Sequence, residues 1–501
     1  MAEPSPFEPR GDFIGGHFAL PAHAEGEIVL EDPGDTSERR SSFPFASGSV
    51  GAAVDAARRA YPRWRDLAFE ERAELLMRFG QRLEREAETL ARTIALEVGK
   101  PLWEARTEVT AMRAKIEITL GEGMEPVRER CFETAPGQLA RWRAHAQGVM
   151  AVLGPFNFPG HLPHGHVVPA LALGNTVVMK PSERTPAVGQ LYAALAADAG
   201  FPPGVFNLIH GEGTQGAALA AHRGVDGVLF TGSYAVGRRI LEATLDQPGK
   251  LVVLEMGGKN GVLVCADANL DAAASAIAFG AAVTTGQRCS ATSRVIVERA
   301  VAAPLAERLA RIFRQIAIGH ALDEGVFMGP LISAASRRRH ADVLRWAAEE
   351  GAERLVDGGP CEGPRPGHYV RPTLHLARGL RATPYQTEEH FLPDVVLIEV
   401  DSFEEGLAAL DATAYGLVGS VFSAERARFE RAFRETRLGL LNWNASTVGA
   451  SSRLPFGGVK KSGNERPAGV VSSLYCSYPV ASLEVEQPRP ATGFPGFPAV
   501  P

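Results

Sequence analysis

Cys289, in Gly-Gln-Arg-Cys-Ser, and Glu255, in Leu-Glu-Met-Gly-Gly-Lys-Asn, stand 34 residues apart. A thiol that adds to a carbonyl needs a base, and a thioester needs an activated water to release its acyl group. One cysteine and one carboxylate can supply both steps. Each residue alone is a weak signal. A lone cysteine is more often a small buried apolar residue than a nucleophile, and Glu before Gly-Gly is more often a strand end meeting a turn.

Other motifs add to the pair. Gly-Pro-Phe-Asn-Phe-Pro (154–159) fixes a turn with two prolines and offers the Asn157 amide, either as a donor to a developing oxyanion or as a cap on the following helix. Lys-Pro-Ser-Glu (180–183) ends an apolar run. It places Lys180 and Glu183 at a strand's carboxyl edge, where a Glu can hold a ribose diol and would repel a 2′-phosphate, favouring NAD over NADP. A solvated turn is the plainer reading of that tetrapeptide alone. Phe-Thr-Gly-Ser-Tyr-Ala-Val-Gly (230–237) opens a helix, so Ser233 either caps it or joins backbone N–H groups in holding a pyrophosphate. Gly211-Glu-Gly213-Thr-Gln-Gly216 matches G-x-G-x-x-G. However, Glu212 is badly placed for a phosphate, so this loop is expected beside the adenine. Thr-Glu-Glu-His-Phe-Leu-Pro (387–393) offers Glu389 to a second ribose and Phe391 to a nicotinamide ring, though it also passes as a loop. His161, His164 and His166 have poor metal-ligand spacing and no adjacent acidic or Cys partner, so no metal is expected.

These residues need strand ends to carry them. From 148 to 254, short apolar runs (Val149–Leu153, Thr176–Met179, Val205–Ile209, Val228–Phe230, Leu251–Leu254) alternate with helical stretches such as Ala187–Ala197 and Tyr234–Leu245. Strand and helix alternating in this way imply an α/β protein with a covered parallel sheet, whose ligands bind at the strands' carboxyl ends. A second αβ stretch runs from about 258 to 445, with Gly257-Gly258 as the expected hinge. Residues 50 to 120 carry helical apolar spacing, as in Leu76, Phe79 and Leu83.

The chain has 501 residues, enough for two or three domains. Its net charge of −6 argues against nucleic-acid and anionic-membrane partners. Five scattered cysteines without C-x-x-C spacing fit free thiols in a reducing, cytoplasmic setting. The N-terminus does not read as a signal peptide, and no apolar run approaches the ~20 residues that cross a bilayer.

In this order and spacing, Pro-Phe-Asn-Phe-Pro, Lys-Pro-Ser-Glu, Phe-Thr-Gly-Ser, Glu-Met-Gly-Gly-Lys, Gly-Gln-Arg-Cys, Glu-Glu-His-Phe and Leu-Pro-Phe-Gly-Gly-Val-Lys-Lys-Ser-Gly (454–463) resemble the aldehyde dehydrogenase superfamily. The resemblance implies an α/β fold with a Rossmann-type parallel-sheet NAD domain (1–125 and 147–256) and an α/β catalytic domain (257–446). It adds a small β oligomerisation arm (126–146 and 470–486) whose segments pair as strands across a dimer. A loose tail from 487 to 501 is expected from its Pro and Gly content. By motif match, Cys289 is the nucleophile, Glu255 the general base, and Asn157 with the Cys289 N–H the oxyanion site. Lys180, Glu183, Gly213, Gly232, Ser233, Gly237, Glu389 and Phe391 are the cofactor-binding set. The implied reaction is NAD-dependent oxidation of an aldehyde to a free acid, because relatives that pass the acyl group to coenzyme A lack this Glu. A homodimer or dimer of dimers is implied.

Glu-Val-Thr-Ala-Met (108–112), residues 156–166, Gly-Ala-Ser-Ser (449–452), Ser-Gly-Asn-Glu-Arg-Pro (462–467) and residues 475–484 most resemble a branch that oxidises a succinylated semialdehyde in arginine catabolism. That branch usually has Asn at His164, His at Glu465 and Gly-Ala at Lys460-Lys461. Ser290, Gly449, Ser451 and Ser452 are the candidates for anchoring the substrate's distal carboxylate, with Arg288 and Arg453 behind them. Three other readings stand beside this one: another small semialdehyde or aliphatic aldehyde as substrate, esterase activity through the same thiol, and a non-catalytic binding protein on the same fold.

Overall fold

Two seven-stranded sheets carry the chain. The structure, a computed structural model, describes residues 7–488, 490, 495–496 and 498. The expected loose tail therefore lies for the most part outside the described residues.

The first sheet runs Leu251–Met256, Gly227–Gly232, Val149–Leu153, Thr176–Lys180, Phe206–Leu208, Asp12–Ile14 and His17–Ala19. Its first five strands are parallel and the last two are antiparallel additions at one edge. Every residue of Val149–Leu153 and Thr176–Lys180 is buried, as expected of strands covered on both faces. Met150 and Val152 pack with Phe79, Leu83 and Tyr192 on one side. Val149 and Ala151 pack with Val50, Val54 and Phe230 on the other. This is the period-two alternation of a pleated strand.

The second sheet runs Glu353–Val356, Thr373–Ala377, Asp394–Val400, Thr292–Glu298, Asn260–Val264, Val418–Phe422 and Leu440–Trp443, parallel except for its first strand. The same alternation sends Val262 and Val264 to one core and Leu263 to another. The Gly257-Gly258 link between the sheets is packed tightly. A Cβ on Gly257 would lie 1.9 Å from a Glu389 carboxylate oxygen, so this glycine is required by close approach.

A third, three-stranded antiparallel sheet projects from these two, in the order Ser477–Val485, Gln138–Ala146, Arg130–Ala135. Its segments Gln138–Ala146 and Ser477–Val485 pair with each other within the chain, Ser477 opposite Ala146 and Val485 opposite Gln138. Asn175 donates from Nδ2 to the Cys476 carbonyl (2.8 Å) and accepts at Oδ1 from the Gly148 N–H (2.9 Å). The two strands therefore leave the core side by side. Among the described residues no helix is long and apolar enough to cross a membrane.

Candidate active site

The carboxyl ends of the first sheet open onto a cavity of about 880 Å³ that reaches both Glu255 and Cys289. Its lining brings together Asn157, Lys180, Glu183, Gly213, Gly232, Ser233, Glu255, Cys289, Glu389 and Phe391. Residues at or just beyond five strand ends and from two further loops thus converge, as the strand-end rule requires.

Glu255 sits in the strand Leu251–Met256 and is 2% exposed. The segment Ser462–Asn464 pins that strand: Met256 N–H donates to Ser462 O (3.0 Å), Asn464 N–H to Leu254 O (3.1 Å) and Leu254 N–H to Asn464 Oδ1 (2.7 Å). Among the described residues, neither Glu255 carboxylate oxygen has a hydrogen-bond partner beyond the neighbouring Cys289 thiol. Burial pushes its carboxyl up to about 8; the Glu389 carboxylate adds to the shift and the nearby Cys289 thiol opposes it. Burial also pushes the Cys289 thiol well above its usual range, and the Glu255 and Glu389 charges push the same way. The thiol is therefore protonated at rest, beside the Glu255 carboxyl, which is placed to take its proton. A buried carboxylate without a backbone partner, next to a half-buried thiol, marks a reactive centre more than a structural one.

Asn157 is 3% exposed and does not cap a helix; its Nδ2 donates to Gln287 O (2.9 Å) on the Cys289 loop. Asn260, which the sequence reading passed over although it closes the Gly-Gly-Lys-Asn motif, donates from Nδ2 to Cys289 O (2.7 Å) and Ala291 O (2.9 Å). The nucleophile loop is thus held at the carbonyls on either side of the thiol.

Lys180 is buried with its Nζ on Pro181 O (2.9 Å) and 3.9 Å from Glu183. Burial pulls its ammonium below the usual range, against the pull of Glu183 and Glu212. Ser233 caps the helix Tyr234–Thr244, accepting from Val236 N–H, and still faces the cavity. Its cap and site readings coexist. Gly213, Thr214 and Gly216 of the G-x-G-x-x-G loop line the same space beside Lys180. Gly237 does not line it. A Cβ there would meet Met256 Sδ at 2.5 Å, so this glycine serves helix-to-strand packing. Glu389 accepts from Gly258 N–H (3.0 Å), and burial pushes its carboxyl up to about 7. Phe391, at φ 61°, meets the Phe156 ring edge-on at 5.9 Å.

The proposed substrate anchors lie elsewhere. Ser290 is buried next to Cys289, while Gly449 and Ser451 are exposed and Ser452 half-buried; none of the four lines the cavity. Their loop is tied to the nucleophile strand by Thr447 Oγ1 and Thr292 Oγ1, 2.8 Å apart. Arg288 turns away into an ion pair with Glu104 (2.9 Å), and Arg453 pairs with Glu122 on the surface (2.8 Å). The branch departures also avoid the cavity. His164 is buried between Tyr192 Oη (2.9 Å) and Met112 O (2.8 Å), Lys460 Nζ is bound to Asp411 (2.8 Å), and Glu465 is exposed.

A parallel-sheet α/β protein with a thiol, a buried carboxylate and a ligand-sized cavity at one strand edge is organised as an enzyme that works on carbonyl groups. The aldehyde dehydrogenase family model matches residues 24–478. N-succinylglutamate 5-semialdehyde dehydrogenase from Chromobacterium violaceum is 40% identical over 493 residues, 97% of this chain and 99% of the relative. The protein of that name from Novosphingobium aromaticivorans is 38% identical over 485 residues, 94% and 98% of the two chains. An NAD-dependent aldehyde dehydrogenase from Sinorhizobium meliloti superposes with a TM-score of 0.92 at 31% identity, covering 98% of each chain. The chain belongs to the aldehyde dehydrogenase family.

Proposed function

We propose that this enzyme oxidises N-succinyl-L-glutamate 5-semialdehyde to N-succinyl-L-glutamate with NAD, a step of arginine catabolism in the cytoplasm. The observation that carries the chemistry is the Cys289 thiol beside a buried Glu255 without a backbone partner on one cavity. The names of its relatives support the substrate.

Glu255 takes the thiol proton as Cys289 adds to the aldehyde carbon. The oxyanion of the thiohemiacetal is met by the second Asn157 N–H and the Cys289 backbone N–H. The chemistry that bound NAD would supply at this carbon is hydride acceptance, with Ser233, Lys180, Glu183, Glu389 and Phe391 as the residues that would hold it. Once Glu255 has passed the thiol proton to solvent, it takes a proton from the water that attacks the thioester and returns it to the departing sulfur, restoring the thiol. The cavity residues fit NAD: a helix start at Ser233 for the pyrophosphate, Lys180 and Glu183 for the adenosine ribose, Glu389 and Phe391 at the nicotinamide end. Glu183 would repel a 2′-phosphate. Ser290 and the loop 449–452 are proposed to hold the distal carboxylate, since Thr447 ties that loop to the nucleophile strand.

NADH formation should favour the succinylated substrate at least ~10-fold in kcat/KM over succinic semialdehyde, glutamate semialdehyde and propanal, and NAD over NADP. A preference for another of these aldehydes would remove the substrate assignment and leave the thiol chemistry standing.

The projecting sheet is proposed to make the enzyme a homodimer or a dimer of dimers. Among the described residues, both outer strands, Arg130–Ala135 and Ser477–Val485, have one unpaired edge, and Phe132 (61%) and Leu483 (67%) are exposed on them. Sedimentation should give a dimer or tetramer, shifted towards monomer by Phe132→Glu with Leu483→Glu. A monomeric wild type would end this assignment.

A further inference from the structure

Two buried carboxylates on the helix Leu102–Leu120 have no part in that reaction. Glu104 and Glu108 are four residues apart, on one face of the helix, and are 0% and 2% exposed. Each holds backbone belonging to a different reactive loop.

Glu104 reaches the loop before Cys289. Its Oε2 accepts from Thr284 N–H (3.0 Å), and its Oε1 accepts from the Thr284 hydroxyl and from Arg288 Nη2 (2.9 Å). Arg288 Nε closes the group on Thr284 Oγ1 (2.7 Å). Thr284 and Thr285 sit at φ 54° and 55°, a left-handed conformation that β-branched residues adopt only when their surroundings hold them there. Glu108 reaches the turn after Asn157. Its Oε1 accepts from Gly160 N–H (2.9 Å) and His161 N–H (3.0 Å), and its Oε2 from Lys100 Nζ (2.8 Å). The Phe158 ring lies between the two groups, with Lys100 Nζ 3.7 Å and the Arg288 guanidinium 4.7 Å from its centroid. The hydrogen bond from Asn157 to Gln287 O (2.9 Å) then joins the two loops directly. The result is a closed circuit: helix, Glu104, Cys289 loop, Asn157 turn, Glu108, and back to the helix one turn on.

We propose that Glu104 and Glu108 are positioning residues which set the Cys289 loop and the Asn157 turn at a fixed separation, so that thiol and amide converge on one carbonyl. This rests on reading Cys289 as the nucleophile and Asn157 as the oxyanion donor. Burial alone would raise the Glu104 carboxyl, but Arg288, Lys100 and the Thr284 hydroxyl outweigh it and hold it below the usual carboxylate range. Glu104 is thus a fixed anion. A small displacement of either loop changes the rate while leaving cofactor binding alone.

Glu104→Gln and Glu108→Gln separate the two arms of the circuit. Alkylation of Cys289 by iodoacetamide depends on the thiol's placement but creates no oxyanion, whereas aldehyde turnover and NAD-free hydrolysis of an activated ester need both. Glu104→Gln is expected to lower alkylation, turnover and ester hydrolysis about tenfold. Glu108→Gln should leave alkylation within about twofold and lower the other two about tenfold. The NAD Kd should be unchanged in both. If Glu108→Gln fails to fold, Lys100→Met with Glu108→Leu removes the ion pair without leaving a buried charge and should give the same split. Equal losses in alkylation and turnover for the two variants, or no loss in either, would overturn the proposal. Failure of the nucleophile reading itself would appear elsewhere, as turnover surviving in Cys289→Ala.

Discussion

Cys289→Ala should lower kcat/KM for aldehyde oxidation by at least ~10⁴, a loss of about 5 kcal/mol in transition-state stabilisation, while NAD binds as before. The size of the effect follows from the absence of a substitute. Of the other cysteines, Cys131 is exposed, Cys265 and Cys476 are buried and Cys361 is half-buried, and none lines the cavity. No other thiol can therefore take over, and without a covalent thiohemiacetal the aldehyde C–H has no neighbouring oxyanion to expel its hydride. Ester hydrolysis without NAD should fall in parallel, because it uses the same sulfur. The raised thiol also explains why the residue cannot act alone. Burial and two neighbouring carboxylates keep it protonated, so addition must be coupled to proton removal. NADH formation under single-turnover conditions, beside NAD binding measured by fluorescence, checks both halves. Residual turnover within 100-fold of wild type would exclude Cys289 as the nucleophile, and a loss of NAD affinity would mean that the substitution had damaged the cavity.

The residues that could be read ahead of the structure share one property: their type and immediate neighbours already imply their task. Val149–Leu153 and Thr176–Met179 are mostly apolar runs, the first followed by Gly-Pro and the second by Lys-Pro, so both their strand character and their carboxyl ends were legible. Cys289, Glu255 and Asn157 were legible as chemistry but ambiguous as structure until one cavity joined them. Where the task belongs to a distant partner, the local pattern is silent. Glu104 reads as one acid in an ordinary amphipathic helix, yet its partners Thr284 and Arg288 lie 180 and 184 residues away. The ends of the paired strands 138–146 and 477–485 are tied together by Asn175, which belongs to neither strand. Those strands mix polar and apolar residues on half-buried or exposed faces, with Arg141 and Arg143 bound to Glu484, so no clean apolar alternation announces their register. Substitution can mislead in the same way. His164 differs from its branch beside the catalytic turn in sequence, but in space it is a core histidine whose two ring nitrogens are both engaged.

Glu255→Gln should separate the two halves of the reaction. Its carboxyl is raised to about 8, first by burial and then by Glu389, and only the ionised form can act as a base. Wild-type turnover should therefore rise about tenfold per pH unit below 8 and level off above it, wherever thioester hydrolysis limits the rate. In the Gln variant no base remains at any pH. Steady-state turnover should fall by ~10²–10⁴ and lose this pH dependence. When a preformed thiolate still adds at high pH, the variant should release one NADH per active site and then stall as the acyl-enzyme. Stability should move the other way. Because the folded carboxyl is raised above its unfolded value, Glu255 destabilises the protein as pH climbs from about 4.5 towards 8, and has no such effect when both states are protonated. Glu255→Gln should thus raise Tm at pH 8 and leave it nearly unchanged near pH 4. A buried carboxylate without backbone hydrogen bonds is destabilising to fold around at neutral pH, and that strain keeps it basic enough to activate water. A Gln variant that turns over steadily without an NADH burst, or one that is less stable at pH 8 than wild type, would show that Glu255 holds the fold and that the base lies elsewhere.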